Sequence, residues 1–600
     1  MKKIFGILLL SGAVTLVSCD DDLLNSFTPG ATTEEVAFQT SGDIQKMMNS
    51  AYALLTPLSD LEFNSVFTDE AGIGYANGGQ GLNDNYAFLL NSGSGSPDGI
   101  WSTYYLVMSR ANRVIAFADR VVPVDAVDAD LIKRMKAEAL VLRAYSHIQL
   151  VSYFSTNPKD RNALGVMMAD GVYSVGTQLP RVTNGAIYDL VDADLNAALA
   201  IFNAPSVAPA YATPSLYANK YFAVAMQARV NALRGDYANA LTYANDVINN
   251  SGISLASFSN YTSVFLTDAN ANNSEVLFKV KKLNGQTRTG AVWASVNASV
   301  GGSPFFEIGR SLFNLINTTE VATASNNTVV SIAGTSLTLA NATNVSVNDE
   351  FVFTTSFPTT AAMNGGGTAT IPANAIVAGK VYFVKTKVGN VITLTTAPNG
   401  TTTANFTAAN TATNLAVKHN NGDIRYGAIV HPTSIINYDY RTVADFRNTD
   451  KLAMGKYPGT AANGNLVNDI KISRISEMYL IKAEALTNAG DLAGAAAVVK
   501  ELRDARFNVA QPLPVYAAAV DAWKDILKER RIEFAFEGYR YIDLKRLGTL
   551  ANETIVRDAR DCEINGQCTL PITDHRFTLP IPASELGVNQ SIRGQQNPGY

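Results

Sequence analysis

The sequence predicts a mainly α-helical protein, built as a tetratricopeptide-like helical scaffold with a loop-rich ligand face and one inserted β-rich module. Three observations support this fold class. One stretch has a long helical periodicity, two others read as helical hairpins of repeat length, and the composition changes abruptly between residues 317 and 421. A chain of 600 residues exceeds one ordinary hydrophobic core, so two or more structural units are expected.

The amino terminus reads as a cleaved secretory signal over residues 1–18. Lys2 and Lys3 precede the apolar run from Ile4 to Leu10, which is too short to span a bilayer comfortably. Leu-Val-Ser-Cys, ending at Cys19, resembles the site where bacterial lipoproteins are cut and then acylated on the cysteine. The alternative is an ordinary signal followed by a chance cysteine. The lipoprotein interpretation predicts a lipid anchor on Cys19, because acyl chains bury methylene groups in the membrane.

The scaffold is predicted from helical periodicity and turn chemistry. A long helix ending near Phe154 is indicated by apolar residues at intervals of four, four, three and three, namely Leu131, Met135, Ala139, Leu142 and Tyr145. Residues 217–250 and 477–506 read as hairpins that turn at Gly235-Asp236 and Gly490-Asp491. Glycine can end one helix in the left-handed conformation and aspartate can cap the next. Both hairpins have about the length of a tetratricopeptide unit.

Residues 317–421 are rich in Thr, Asn, Val, Ala and Gly and poor in charge. Two alternating stretches flank Gly389-Asn390, a pair typical of a two-residue β-hairpin. We interpret this region as an independent β-sandwich or barrel-like module inserted in a surface loop, where insertions are tolerated. A low-complexity disordered loop is the alternative.

The stretch from Glu529 to Arg546 carries charges that cannot all face water. Apolar residues lie on two sides of it at helical spacing, which predicts that the arginines and glutamates between them sit near a packed interface and must pair there. Arg530 with Glu533, and Glu537 with Arg540, have the i,i+3 spacing that lets partners meet. A solvated charged helix is the alternative.

Four segments together resemble the SusD/RagB family of outer-membrane nutrient-binding lipoproteins; they are Glu529 to Arg546, Ala137 to Tyr145, Gly422 to Arg425 and Gln596 to Tyr600. The resemblance implies a SusD-like amino-terminal part over 19–316 and a SusD-like carboxy-terminal part over 422–600. It also implies a surface position on the outer membrane, since Asp20, Asp21 and Asp22 resemble the acidic tag of surface-exposed lipoproteins. The implied partner is a SusC-type TonB-dependent transporter, to which oligosaccharide, or in other members peptide, is delivered.

Binding is a better interpretation than catalysis. The four histidines lack the i,i+4 spacing of a zinc helix, no phosphate-binding or nucleophile-elbow motif is present, and we predict neither metal nor cofactor. The obvious carboxylates sit beside arginines, which lower a carboxyl pKa and spoil a general acid. A formal net charge of −5 argues against nucleic acid. Cys562 and Cys568 can form a local disulfide in an exported chain.

Sugar binding calls for aromatic ring faces with nearby amide or carboxylate partners. The glycine-rich stretch 68–80 lies where the family places part of its ligand site, so we predict ligand contact by Asp69, Tyr75 and Asn77. Trp293 has a loop-like, glycine-flanked setting that suits a ligand platform. Trp101 is a further candidate for ligand contact, with packing as the alternative that burial of aromatic residues favours. The rival functions are a surface peptide-binding lipoprotein, a surface glycoside hydrolase and a helical adaptor that binds protein alone.

Overall fold

The computed structural model describes residues 34–74, 84–268, 275–294, 304–316, 326–343, 345–353, 376–377, 380–396, 400–404, 415–418, 422–437, 440–441, 450–563 and 567–600. The predicted signal 1–18 and lipidation site Cys19 lie outside these residues. Within the described part, no helix combines the length and the apolar character needed to cross a membrane.

Helices dominate the described chain, which confirms the predicted class. The α-helices are Glu34–Ala37, Ser41–Leu54, Leu58–Phe67, Gly95–Ala118, Ala126–Phe154, Asn184–Asn203, Lys220–Arg234, Tyr237–Asn250, Ser263–Leu266, Arg310–Ile316, Ile424–Ile429, Ile475–Asn488, Leu492–Arg506, Ala519–Glu533, Arg540–Ala551 and Ala583–Val588. Short 3-10 turns occur at Pro214–Leu216, Thr289–Val292, His575–Phe577 and Gln590–Ile592.

The strands form small antiparallel pairs and one barrel. The pairs are Ala71–Ile73 with Phe306–Ile308, Leu164–Met167 with Arg181–Thr183, Val276–Val280 with Ile470–Arg474, Gly459–Thr460 with Gly464–Asn465, and Ile555–Val556 with Thr569–Leu570. The barrel strands are Asn326–Ala333, Ser336–Leu339, Glu350–Phe353, Val381–Val388, Val391–Thr395 and Leu415–Lys418.

Both predicted helical hairpins are present and turn where the glycine-aspartate pairs lie. Gly235 has φ 82° and Gly490 has φ 83°, the left-handed conformation that glycine adopts without a Cβ penalty. Asp236 accepts a hydrogen bond from the amide of Asn239 at 3.2 Å, and Asp491 accepts one from the amide of Gly494 at 2.8 Å. The helix Ile475–Asn488 packs against the first hairpin, so the two hairpins stack as repeat units do.

The central helix Ala126–Phe154 organises the scaffold. It begins five residues before the predicted Leu131, since Asp125 caps it by accepting a hydrogen bond from the amide of Asp128 at 2.8 Å. Its second half is buried on all sides, between the helices Gly95–Ala118 and Asn184–Asn203. A helix that is buried all round is not restricted to one apolar face, so burial there extends beyond the predicted stripe.

The inserted module is a closed antiparallel barrel, one of the two architectures that its composition allowed. Its described strands fall between Asn326 and Lys418, inside the predicted range 317–421. Gly389-Asn390 joins two neighbouring strands as predicted, and Gly389 has φ 58°. The barrel has a hydrophobic core of its own, formed by residues such as Val329, Leu337, Phe351, Tyr382 and Ile392.

Candidate functional site

The strand pair Ala71–Ile73 and Phe306–Ile308 fixes one end of the candidate ligand face. Ile73 lies opposite Phe306, and the amide of Gly74 donates to the carbonyl of Phe305 at 2.9 Å. A Cβ atom at Gly74 would lie 2.2 Å from the Pro304 carbonyl oxygen, so only glycine permits this approach. Residue 74, which follows the first strand, and residue 304, which precedes the second strand, therefore lie next to each other. The predicted contacts Tyr75 and Asn77 lie outside the described residues.

Trp293 lies beneath this end of the strand pair, and the prediction that it presents an open ring face is wrong. Its side chain is 1% exposed. The indole stacks on Tyr457 with ring centroids 5.6 Å apart and meets the edge of Phe536. Its Nε1 donates to the Ser65 hydroxyl at 2.9 Å. The amides of Phe305 and Phe306 both donate to the Trp293 carbonyl, which holds the residue under the strand and makes it the floor of the face.

Trp101 also serves packing, the alternative that its sequence position left open. It is 3% exposed, and its ring lies against Tyr105 and Phe154. Its Nε1 donates to a carboxylate oxygen of Glu585 at 3.3 Å. A ligand on the protein surface cannot reach its ring faces, so the structure contradicts its predicted role as a ligand contact.

Asp69 is buried and paired, so it is not an open ligand contact either. Arg540 holds both carboxylate oxygens, with Nε and Nη2 at 2.8 and 2.9 Å, and Arg531 approaches to 3.4 Å. Burial alone would raise the pKa of Asp69, but the two guanidinium groups outweigh it and lower the pKa to about 2. This ion pair ties the start of the strand pair to the carboxy-terminal helices.

Phe305 is a candidate that the sequence reasoning missed. It is 39% exposed, whereas its neighbour Phe306 is 2% exposed, and the two rings meet edge to face at 5.0 Å. Phe305 lies one residue before the strand Phe306–Ile308, whose three residues are all buried, so strand alternation does not account for its exposure. No sequence pattern distinguished the two consecutive phenylalanines. Phe305 offers an exposed aromatic surface, and its amide is tied to the carbonyl of the buried Trp293 by a hydrogen bond of 3.0 Å.

The charged stretch beneath the floor forms a buried arginine–carboxylate network rather than a solvated helix. Glu533 accepts hydrogen bonds from Arg506 at 2.8 and 3.0 Å and from Arg474 at 2.7 Å. Glu537 pairs with Arg474 and with Lys456, the latter at 2.5 Å. All these side chains are within 1% of complete burial. The predicted burial and pairing of this stretch are confirmed.

The predicted i,i+3 partners within the stretch are wrong. Arg530 pairs with Glu484 and Asp543, and Arg540 pairs with Asp69. Arg530 and Glu533 lie in the same helix, but Glu533 is already held by Arg506 and Arg474. Glu537 and Arg540 do not share a helix, because the helix ends at Glu533 and the chain then turns through left-handed residues, Phe536 at φ 61° and Gly538 at φ 85°. Each charge therefore finds a partner on another element.

Glu70, beside Asp69, gives the protein a predictable dependence on pH. Burial raises its pKa from 4.5 to about 8, although Arg540 opposes the shift. One of its oxygens accepts a hydrogen bond from the amide of Phe536 at 3.3 Å. The folded state therefore keeps a proton that the unfolded state releases above pH 4.5. The contribution of the protonated Glu70 to the free energy of unfolding is fully present below pH 4.5 and is lost as the pH rises towards 8.

Glu70→Gln should remove this dependence, because glutamine keeps the acceptor oxygen but has no proton to lose. We expect the variant to gain at least about 1 kcal/mol relative to the parent protein between pH 5 and pH 8. Urea unfolding at both pH values measures the difference. A pH-independent difference between the two proteins would contradict the assignment of a raised pKa to Glu70.

Cys562 and Cys568 form a disulfide, with Cα atoms 5.2 Å apart. The disulfide lies near the strand pair. Asp561, next to Cys562, accepts a hydrogen bond from the amide of Arg310 at 2.7 Å, and Arg310 begins the helix that follows the strand Phe306–Ile308. In the described residues no group of three or more His, Cys, Asp or Glu side chains is arranged to hold a metal ion.

Two family models and one relative match parts of this chain. Residues 386–600 match the SusD family model, and residues 32–231 match a model described as starch-binding associating with outer membrane. SusD-like protein P2 of Formosa agariphila is 26% identical over 308 residues, which are 50% of this chain and 57% of that protein. The matched stretch thus spans little more than half of that relative.

Solved structures share the fold along almost the whole chain. A SusD superfamily protein from Bacteroides thetaiotaomicron gives a TM-score of 0.63 at 21% identity, with 93% of this chain and 100% of the other covered. A protein from Bacteroides vulgatus described as a putative sugar binding protein gives 0.62 at 18% identity, covering 94% and 99%. A laminarin binding SusD-like protein gives 0.55 at 17% identity, covering 94% and 100%.

Proposed function

Because this chain belongs to the SusD family, we propose that it is a cell-surface lipoprotein that captures oligosaccharides and delivers them to a SusC-type TonB-dependent outer-membrane transporter. In this proposal Cys19 carries the lipid anchor, and the protein faces the exterior of the cell. The family model described as associating with outer membrane and the sugar-binding neighbours support the location and the ligand class.

The observation that carries the ligand proposal is the exposed ring of Phe305 above a sealed aromatic floor. Two chain segments meet at Gly74 and Pro304, and Phe305 lies where they meet. Sugars present apolar ring faces edged with hydroxyl groups, so an exposed aromatic side chain on a rigid base can hold them. The base is rigid because Trp293 is locked by stacking and by its hydrogen bond to Ser65.

Capture without cleavage agrees with the state of the carboxylates that stood out in the sequence. Glu529, Glu533, Glu537 and Asp543 are all buried and all paired with arginine or lysine. A glycosidase needs two carboxyl groups free to face the scissile bond, whereas each of these four is at most 5% exposed and is engaged by a cation. A peptide ligand and a protein-only adaptor remain the alternatives, and both would leave sugar binding undetectable.

Replacing Phe305 with alanine should weaken glycan binding about fivefold to tenfold, since an aromatic face contributes about 1 kcal/mol of contact energy. Isothermal calorimetry with a bound oligosaccharide measures the loss. Tyr173→Ala is a matched control, because Tyr173 is also 39% exposed but does not adjoin the strand pair. Equal affinities of the Phe305 and Tyr173 variants would exclude Phe305 from the ligand face.

A further inference from the structure

A second cleft lies between the barrel and the helical scaffold, well apart in sequence from the strand pair. Its volume is about 210 Å³. The barrel wall consists of residues 346–350 and Phe383. The scaffold wall consists of Phe258, residues 422–424 with Gly427, and residues 507–509. Clefts between structural units are common places for ligand sites.

The two walls are held in a fixed relation. Val352, Val381 and Phe383 of the barrel pack into the hydrophobic core of the scaffold rather than into the barrel's own core. Lys380, next to the strand that carries Phe383, forms a backbone bridge to Ile435 of the scaffold. Because apolar packing and backbone pairing both cross the boundary, the cleft is preformed, and a ligand does not have to order it.

The scaffold wall combines an aromatic face with a neutralised carboxylate. Phe507 is half-buried and pairs through its backbone with Asp423. Both oxygens of Asp423 accept from Arg425, at 2.7 to 3.0 Å, so its charge is compensated behind the wall. Phe258 is half-buried on the same wall and adds a second ring.

The barrel wall adds hydrogen-bonding groups. Asn348 is half-buried and has φ 69°, a left-handed conformation that asparagine tolerates better than most residues. Its backbone amide donates to the Val384 carbonyl at 2.8 Å, which fixes the residue at the cleft. Asn508, exposed on the opposite wall, offers another amide. Amide groups can donate to and accept from sugar hydroxyls at once.

We propose that this cleft is a second carbohydrate site, which holds one neutral sugar unit of a glycan between the barrel and the scaffold. Two phenylalanine rings flanked by amides fit a sugar's apolar face and hydroxyl edge. An anionic ligand is disfavoured because the described lining includes no lysine or arginine. The inference rests on the proposed function for its ligand class, and it gives the inserted barrel a role in binding.

The test is calorimetry of the full soluble protein, lacking only the lipid anchor, with a glycan that it binds. Phe507→Ala removes a ring from the cleft, and Val347→Arg narrows it with a long side chain at a position that is 47% exposed. We expect Phe507→Ala to weaken one binding component at least about fivefold, as loss of an aromatic contact does. Val347→Arg should weaken the same component because its longer side chain occupies the cleft. Phe202→Ala, a half-buried phenylalanine outside the cleft, is the control.

The outcomes separate the two proposals. A parent protein that binds none of the tested glycans overturns the proposed function. A parent protein that binds glycan, with isotherms unchanged by both Phe507→Ala and Val347→Arg, overturns the second site alone. The second site is supported if both cleft variants lose one binding component of the isotherm and keep the binding component that Phe305→Ala weakens.

Discussion

Replacing Glu533 with alanine is expected to lower the free energy of unfolding by about 3–5 kcal/mol, the cost of removing one partner from a buried ion pair. Glu533 accepts from Arg506 and Arg474, and both arginines are at most 1% exposed. Water cannot replace the lost carboxylate without opening the core. Burial would raise the pKa of Glu533, but the neighbouring arginines hold it well below its usual range.

The measurement is urea unfolding followed by circular dichroism, with Asp504→Ala as the control. Asp504 pairs with Lys500 at i,i+4 on the surface of an adjacent helix, where side chains are 30% and 37% exposed. The exposed pair contributes about 0.3–0.5 kcal/mol, and the hydrogen bond that Asp504 accepts from the amide of Gln511 contributes about 1 kcal/mol. If Glu533→Ala costs no more than Asp504→Ala, the network does not support the fold in the way that its geometry indicates.

Trp293→Ala is expected to cost about 3–5 kcal/mol of stability, the usual range for truncating a buried aromatic residue. The change leaves a cavity between Tyr457 and Phe536 and removes the hydrogen bond that the Ser65 hydroxyl accepts from the indole, although that hydroxyl still donates to the Leu61 carbonyl. Glycan affinity of the folded fraction should change much less, because the ring does not reach the surface.

Thermal unfolding and calorimetry on the same Trp293 variants distinguish a buried packing role for Trp293 from direct contact with the ligand. Trp293→Phe is the comparison, since it keeps an apolar ring and loses the donor to Ser65 and only part of the buried ring volume, so its loss of stability should be smaller. A Trp293→Ala protein that stays as stable as the parent but no longer binds glycan would show that ligand contacts the ring.

Local turn chemistry made the helical scaffold predictable. Gly235 and Gly490 end helices in the left-handed conformation that glycine favours. Asp236 and Asp491 then cap the next helix by accepting a hydrogen bond from the amide three residues later. Closure of the barrel was not predictable in the same way. The strand Leu415–Lys418 pairs with Asn326–Ala333 and with Glu350–Phe353, distant partners that no local pattern specifies. The sequence therefore left sandwich and barrel open.

The candidate site shows the same division. The apolar residues on two sides of the charged stretch predicted that Glu533 and Arg530 are buried. Their partners, Arg474 and Glu484, lie on other elements, so residue spacing within the stretch predicted the wrong ion pairs. Trp293 looked like a loop residue because glycines flank it, yet its burial depends on Tyr457 and Ser65, which are far away in sequence. Phe305 could not be told from Phe306 by pattern, because it lies just before a strand whose residues are all buried.

The most direct test of the account is to titrate the purified soluble protein with a panel of oligosaccharides by calorimetry and then to measure the chain length of each ligand by chromatography. We expect saturable heat with at least one glycan, weaker binding of that glycan by the Phe305→Ala variant, and full recovery of the glycan at its original length. Shortened products would identify a glycoside hydrolase instead. Absence of heat with every glycan would contradict carbohydrate capture.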